Sequence, residues 1–146
     1  MSFSAKKLLK TFLLCFLCSG CGSLGIGNEK VDSVFAEANR SLSAGDLRPA
    51  EEKYLWIIQQ TPVNPRTYNN LGNLYFKKRE IDKAKMQYQK ALKLNPGYLI
   101  ARVNLAVLLL KQGKTEDALQ ILQEGLKEYP ENAELHNGLG ICELRQ

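Results

Sequence analysis

The sequence predicts an all-α fold, a solenoid of helix-turn-helix hairpins with three repeats plus one extra C-terminal helix. Three observations carry this. Pro62, Pro96 and Pro130 stand 34 residues apart, and Ala50, Ala84 and Ala118 keep the same interval. Tyr54, Tyr88 and Leu122 form a third column, and the small residues Ala38, Gly72, Ala106 and Gly140 a fourth. Helix stop and start signals fall between these columns, at Gly45-Asp46, Asn64-Pro65, Gly113-Lys114-Thr115 and Asn132. Self-similarity at such a period marks repeat architectures, whose units bury apolar surface only against their neighbours. At 146 residues, 45% hydrophobic and 24% charged, the chain has the length of one domain.

Residues 1–20 stand outside the repeat. They carry Lys6, Lys7 and Lys10 and no acid, then an apolar run from Thr11 to Cys18, then Ser19-Gly20 before Cys21. A positive start, a short apolar core and small residues at the end make a secretory signal. The run is well below the ~18–20 residues that span a bilayer, so a membrane helix is the weaker reading, and a buried N-terminal helix is the bland alternative. Residues 21–30 hold Gly22, Gly25 and Gly27 without apolar periodicity, which predicts a flexible tether.

The repeat then justifies seven helices, at about 31–43, 47–60, 65–77, 81–94, 99–112, 115–128 and 133–145. Gly45 and Gly113, two periods apart with Arg79 between them, supply left-handed stops, and Asp46 and Thr115 supply capping starts. Asn64 caps a helix whose first position is Pro65, and Asn132 caps the last helix. Gly72 lies inside a helix, where Gly costs ~1 kcal/mol relative to Ala. Close approach of the paired helices at Gly72 and Ala84 recovers that cost, and Tyr54, Tyr88 and Leu122 fill the space between repeats. Stacking these hairpins gives a short right-handed superhelix with a concave face.

These columns resemble the tetratricopeptide repeat (TPR) family. Residues 65–98 match its pattern at Tyr68, Leu71-Gly72, Tyr75, Ala84, Tyr88, Ala91 and Pro96. Residues 99–132 keep Leu105-Ala106, Ala118 and Pro130, with Gly125 where Ala is usual, and residues 31–64 depart at Glu37 and Ser41. A partial fourth repeat runs over 133–146. Separately, Leu17 to Cys21 resembles the lipobox of lipoproteins of Gram-negative-type bacteria, with Cys18 where Leu is usual. That resemblance implies lipid attachment at Cys21, with acyl chains sufficient for stable anchoring. Gly22 in place of Asp implies the outer membrane, periplasmic face. Cleavage near Gly20 without lipid would instead release a soluble periplasmic protein.

In TPR proteins the first helix of each repeat lines a groove. The resemblance therefore places Phe35, Asn39 and Leu42 there, followed by Asn69, Asn73, Phe76 and Lys77 from the second repeat. The third repeat gives Val103, Asn104, Val107, Leu110 and Lys111, and the last helix Asn137 and Ile141. Some of the apolar positions would serve as core. Amides that both donate and accept suit the main chain of an extended peptide, and a tolerated polar surface is the alternative. Phe35, Ile100 and Glu134 occupy positions where a chaperone-tail carboxylate clamp would need other chemistry, so an internal peptide or a helix is the expected protein partner. Leu139, Ile141, Cys142 and Leu144 on the last helix make residues 139–144 a candidate homodimer contact, with Cys142 as a small core hydrophobe.

Other chemistries find little support. Three of the four Cys fall within residues 1–21 and His136 is the only His, a poor inventory for a metal site or for nucleophilic catalysis. No phosphate loop, Gly-x-Ser-x-Gly elbow or His-Glu-x-x-His occurs. Glu51-Glu52 and Glu116-Asp117 read as helix-start charges. No catalytic residue, cofactor or metal is expected, and an export signal argues against nucleic acid. Lys77-Lys78-Arg79 and Lys83, Lys85, Lys90 and Lys93 are locally basic, a solvated face or a contact for anionic headgroups or glycans. Without residues 1–20 the formal charge falls from +5 to +2. The expected function is a non-enzymatic scaffold on the outer membrane, in pilus or secretin assembly. The alternatives are a self-associating structural lipoprotein or a scaffold for cell-wall enzymes.

Overall fold

A computed structural model describes residues 24–144, with side chains from residue 29 onward. Every regular element among the described residues is a helix. They are α1 (Leu24–Ala44), α2 (Leu47–Gln60), α3 (Pro65–Lys77), α4 (Ile81–Leu94), α5 (Leu99–Lys111), α6 (Thr115–Glu128) and α7 (Ala133–Glu143). The bounds expected for α2, α3, α4 and α6 coincide with these. The signal segment, Cys21 and the start of the tether lie outside the described residues. Helix α1 begins earlier than expected and takes in residues 24–30 of the tether. No Pro interrupts that stretch, and extending an existing helix avoids the cost of nucleating one. None of the described helices is long and apolar enough to cross a membrane.

The chain divides into two units, Met1–Val34 and Phe35–Gln146, with the boundary inside α1. From α2 onward each helix packs on the next, and α3, α5 and α7 also meet in succession, α3 on α5 and α5 on α7. This is the contact pattern of a solenoid, in which first helices stack on first helices.

The turns within hairpins repeat one geometry. Asp46 N–H donates to Ser41 O and Gly45 N–H to Leu42 O; Glu80 to Tyr75 and Arg79 to Phe76 follow, then Lys114 to Leu109 and Gly113 to Leu110. Each pair is a Schellman closure, which requires a left-handed residue just past the helix. Gly45 (φ 88°) and Gly113 (φ 75°) supply it freely, whereas Arg79 adopts φ 61° with a side chain attached. Asn64 and Asn132 cap as expected, accepting from Arg66 N–H and Leu135 N–H at 3.0 Å each. The capping roles expected of Asp46 and Thr115 are not realised. Asp46 makes no side-chain cap bond, and Lys114 holds the cap position while Thr115 is already helical. The closure sets the cap residues at ψ near 70°, short of the extended backbone that aims a cap side chain at the first turn.

The turns between repeats share a second device. Tyr68 donates to Pro62 O at 3.0 Å, Arg102 Nη2 to Pro96 O at 3.0 Å, and His136 Nε2 lies 2.7 Å from Pro130 O. Three different donors, 34 residues apart, tie the same proline carbonyl. The lone histidine is thereby occupied as a structural tie. Ala50, Ala84 and Ala118 are fully buried, as are Tyr54 and Leu122, with Tyr88 nearly so. A Cβ on Gly72 would sit 2.5 Å from the Tyr88 ring, so Gly is required for that approach.

Candidate functional site

First helices stacked side by side leave a cavity of about 410 Å³ between them. It is lined by Leu42 and Ser43 of α1, Asn73, Phe76 and Lys77 of α3, Asn104 and Val107 of α5, and Tyr88 of α4. Six of these are groove residues expected from the sequence: Leu42, Asn73, Phe76, Lys77, Asn104 and Val107. Ser43 and Tyr88 were not expected. The 34-residue register does put Ser43 in the column of Lys77 and Lys111, a signal available in the sequence.

The other expected groove residues divide by burial. Phe35, Asn69 and Leu110 are buried. Phe35 stands edge-on to Tyr54, ring centroids 6.1 Å apart, beneath the Arg66 guanidinium at 4.3 Å. Asn39 and Val103 are half-buried, and Lys111 is exposed with its ammonium 4.9 Å from the Phe76 ring centroid. Asn137 and Ile141 are exposed and line a separate open hollow at the end of α7 with His136, Gly140, Glu143 and Leu144. Cys142, on the opposite side of α7, is fully buried, and burial pushes its thiol up.

The asparagines form a network that repeats with the helices. Asn39 Oδ1 accepts from the Tyr54 hydroxyl at 2.7 Å and from Asn70 Nδ2 at 2.8 Å. One repeat on, Asn73 Oδ1 accepts from the Tyr88 hydroxyl at 2.7 Å and from Asn104 Nδ2 at 3.2 Å. Asn104 Nδ2 also reaches Asn69 Oδ1 at 2.9 Å, and Asn69 Nδ2 donates to Asn70 Oδ1 at 3.2 Å. Burial pushes the Tyr54 and Tyr88 hydroxyls up, so both stay protonated donors. The carbonyl halves of Asn39 and Asn73 are thus committed internally, and their amide nitrogens remain as donors. The third repeat replaces the Asn-Tyr pair with Val107 and Leu122, an apolar pair in the same two columns. The expectation of amides that both donate and accept is therefore narrowed: Asn39 and Asn73 retain donation, and Asn69 is enclosed.

Lys77 Nζ donates to Leu42 O at 3.2 Å, which ties one wall of the cavity to the other. With Lys111 beside it, the charge around the cavity is cationic. No group of three or more His, Cys, Asp or Glu that could hold a metal ion occurs among the described residues.

Two family models, each described as tetratricopeptide repeat, match residues 35–98 and 80–142. Residues 35–142 are tetratricopeptide repeats. Among curated TPR relatives, the human protein O-mannosyl-transferase TMTC3 is 36% identical over 87 residues, covering 59% of this chain and 10% of that protein. Small glutamine-rich tetratricopeptide repeat-containing protein 2 of Mycosarcoma maydis is 28% identical over 110 residues, 75% of this chain and 31% of that protein. The TPR chain spans less than a third of either relative's length. Among solved structures, the first TPR of Spaghetti (RPAP3) bound to an HSP90 peptide superposes with a TM-score of 0.71 at 22% identity. It covers 80% of this chain and 94% of that one. The TPR solenoid is shared.

Proposed function

We propose that this TPR chain is a non-enzymatic interaction scaffold that holds a peptide or helix of a partner protein in the cavity between α1, α3 and α5. One observation carries the reading. Three consecutive first helices leave an open hollow lined by six of the fourteen expected groove residues, among them the donors Asn73, Lys77 and Asn104. The amide nitrogen of Asn73 and the Lys77 ammonium, with Lys111 beside Phe76, suit main-chain carbonyls of a bound segment, and Leu42, Phe76 and Val107 supply apolar contact. The structurally similar TPR domain bound to an HSP90 peptide supports a peptide partner.

The resemblance of residues 17–21 to a lipobox supports tethering through Cys21 to the periplasmic face of the outer membrane. There the scaffold would concentrate its partner, with pilus or secretin assembly the favoured process. A photocrosslinker at Phe76 in cells tests the groove. Crosslinks to one partner protein are expected, and crosslinks only from residues 139–144 would overturn the groove reading. Palmitate labelling of wild type against Cys21→Ala tests the anchor, which fails if the wild type takes up no label.

Self-association is the second reading, favoured by Ile141 and Leu144, which are 45% and 89% exposed on α7 and just past it. Light scattering on the chain from residue 22 onward decides it, and a monomer at micromolar concentration would remove it.

A further inference from the structure

Residues 77–94 carry seven bases and two acids, a net +5, whereas residues 21–146 as a whole carry only +2. The rest of that stretch is therefore net acidic, and the net positive charge is concentrated in the α3–α4 turn and α4. On α4 the charge has a direction. Lys83, Met86, Lys90, Lys93 and Leu94 follow helical spacing on one face, and all five are exposed. Ala84, Tyr88 and Ala91 are buried on the opposite face, the one that reaches the cavity side through Tyr88. Exposed Asp82, one turn before Met86, is the one acid on this face, which is a surface separate from the groove.

Internal partners occupy these cations only in part. Lys83 pairs with Glu80 at 2.5 Å, and the Lys90 ammonium sits 4.5 Å from the Tyr68 ring centroid, with both side chains still exposed. Lys93 has no ion-pair partner among the described residues. Between the lysines, Met86 and Leu94 are 55% and 38% exposed. Neighbouring α6 bears Glu116, Asp117, Glu124 and Glu128 against Lys127. The positive field thus belongs to α4 and is not a general property of the outer helices.

We infer that this face of α4 docks on an anionic phospholipid bilayer, with Lys83, Lys90 and Lys93 on headgroup phosphates and Met86 and Leu94 at the acyl boundary. Lysines on a helix face with apolar residues between them are the arrangement that an interfacial surface requires, whereas a peptide would need a groove. A flat stripe over a single helix also offers a protein partner no pocket for an anchoring side chain.

The test uses the chain from residue 22 onward, so that neither the signal segment nor a lipid anchor contributes. Co-sedimentation is measured with phosphatidylcholine vesicles with and without phosphatidylglycerol. The triple variant Lys83→Gln/Lys90→Gln/Lys93→Gln is compared with Arg48→Gln/Lys114→Gln/Lys127→Gln, which has the same net charge. Phosphatidylglycerol is expected to tighten binding, the stripe variant to lose on the order of 100-fold, and the control less than about threefold. Equal losses in the two variants would overturn the inference. So would wild-type binding that ignores phosphatidylglycerol, an outcome that would point to an acidic protein as the occupant. Crosslinking from Phe76 reads the groove separately and is not expected to change in the stripe variant.

Discussion

The Tyr88 hydroxyl donates to Asn73 Oδ1 at 2.7 Å, joining the second helix of one hairpin to its first. Tyr54 and Asn39 repeat the bond at 2.7 Å, 34 residues earlier. Tyr88→Phe removes the donor and leaves Asn73 Oδ1 with Asn104 alone. The expected cost is about 1 kcal/mol, the net worth of a typical buried hydrogen bond. A double-mutant cycle of Tyr88→Phe with Asn73→Ala, followed by urea unfolding, should give a coupling of similar size. Independent effects would mean that the bond contributes nothing to stability.

Arg79 occupies the left-handed position that Gly45 and Gly113 fill in the other two closures. An L residue there costs roughly 1–2 kcal/mol, partly offset by the extra chain entropy that glycine loses on folding. Arg79→Gly is therefore expected to stabilise the domain by about 0.5–1 kcal/mol. Gly113→Ala should destabilise it by a similar amount, although nothing lies within 4 Å of the added carbon. A midpoint for Arg79→Gly at or below wild type would show that the arginine side chain supplies compensating contacts.

What was legible in the sequence follows from what repeats. The columns of Pro62, Ala84 and Tyr88 set the helix count and most helix bounds, because a solenoid reuses one local geometry. Groove residues were legible as positions but not as states. Asn69 and Asn73 lie one turn apart on the same helix, yet Asn69 is enclosed by Asn70 and Asn104 while Asn73 faces the cavity. That difference arises from contacts 35 residues away, which helical spacing within α3 cannot report. The same limit applies to Tyr68, Arg102 and His136. Their shared role at the proline carbonyls depends on backbone position, so no residue-type pattern announces it.

Gly72 and Gly125 separate two kinds of close approach. A Cβ at Gly72 would meet the Tyr88 ring at 2.5 Å, and that ring is held by its bond to Asn73. At Gly125 the obstacle is Arg102 Cδ at 2.7 Å, part of a long side chain, with Leu135 Cδ1 at 3.0 Å behind it. Gly72→Ala should cost about 2–3 kcal/mol, at the upper end for overpacking, and Gly125→Ala about 1 kcal/mol or less. Thermal unfolding of the two variants checks the order, and a larger loss at Gly125 would refute it.

Lys78 links α2 to the α3–α4 turn, with its ammonium 2.8 Å from Glu51 and 3.0 Å from Glu80. Burial works against the Glu51 charge, but the Lys78 hydrogen bond and the Tyr75 hydroxyl outweigh it and hold the carboxyl below its ordinary 4.5. Burial, together with that carboxylate, pushes the Tyr75 hydroxyl up to about 12. A carboxyl whose affinity for protons is lower in the folded chain adds stability above its unfolded value and loses it as pH falls through the folded one. Glu51→Gln should therefore cost about 0.5–1 kcal/mol at neutral pH, with the pair only partly exposed. As pH falls below the ordinary carboxylate range the wild type loses that advantage, and the two proteins should converge. Urea unfolding of both at neutral and acid pH measures the gap. A gap that stays constant with pH would show that the Glu51 charge has no part in stability.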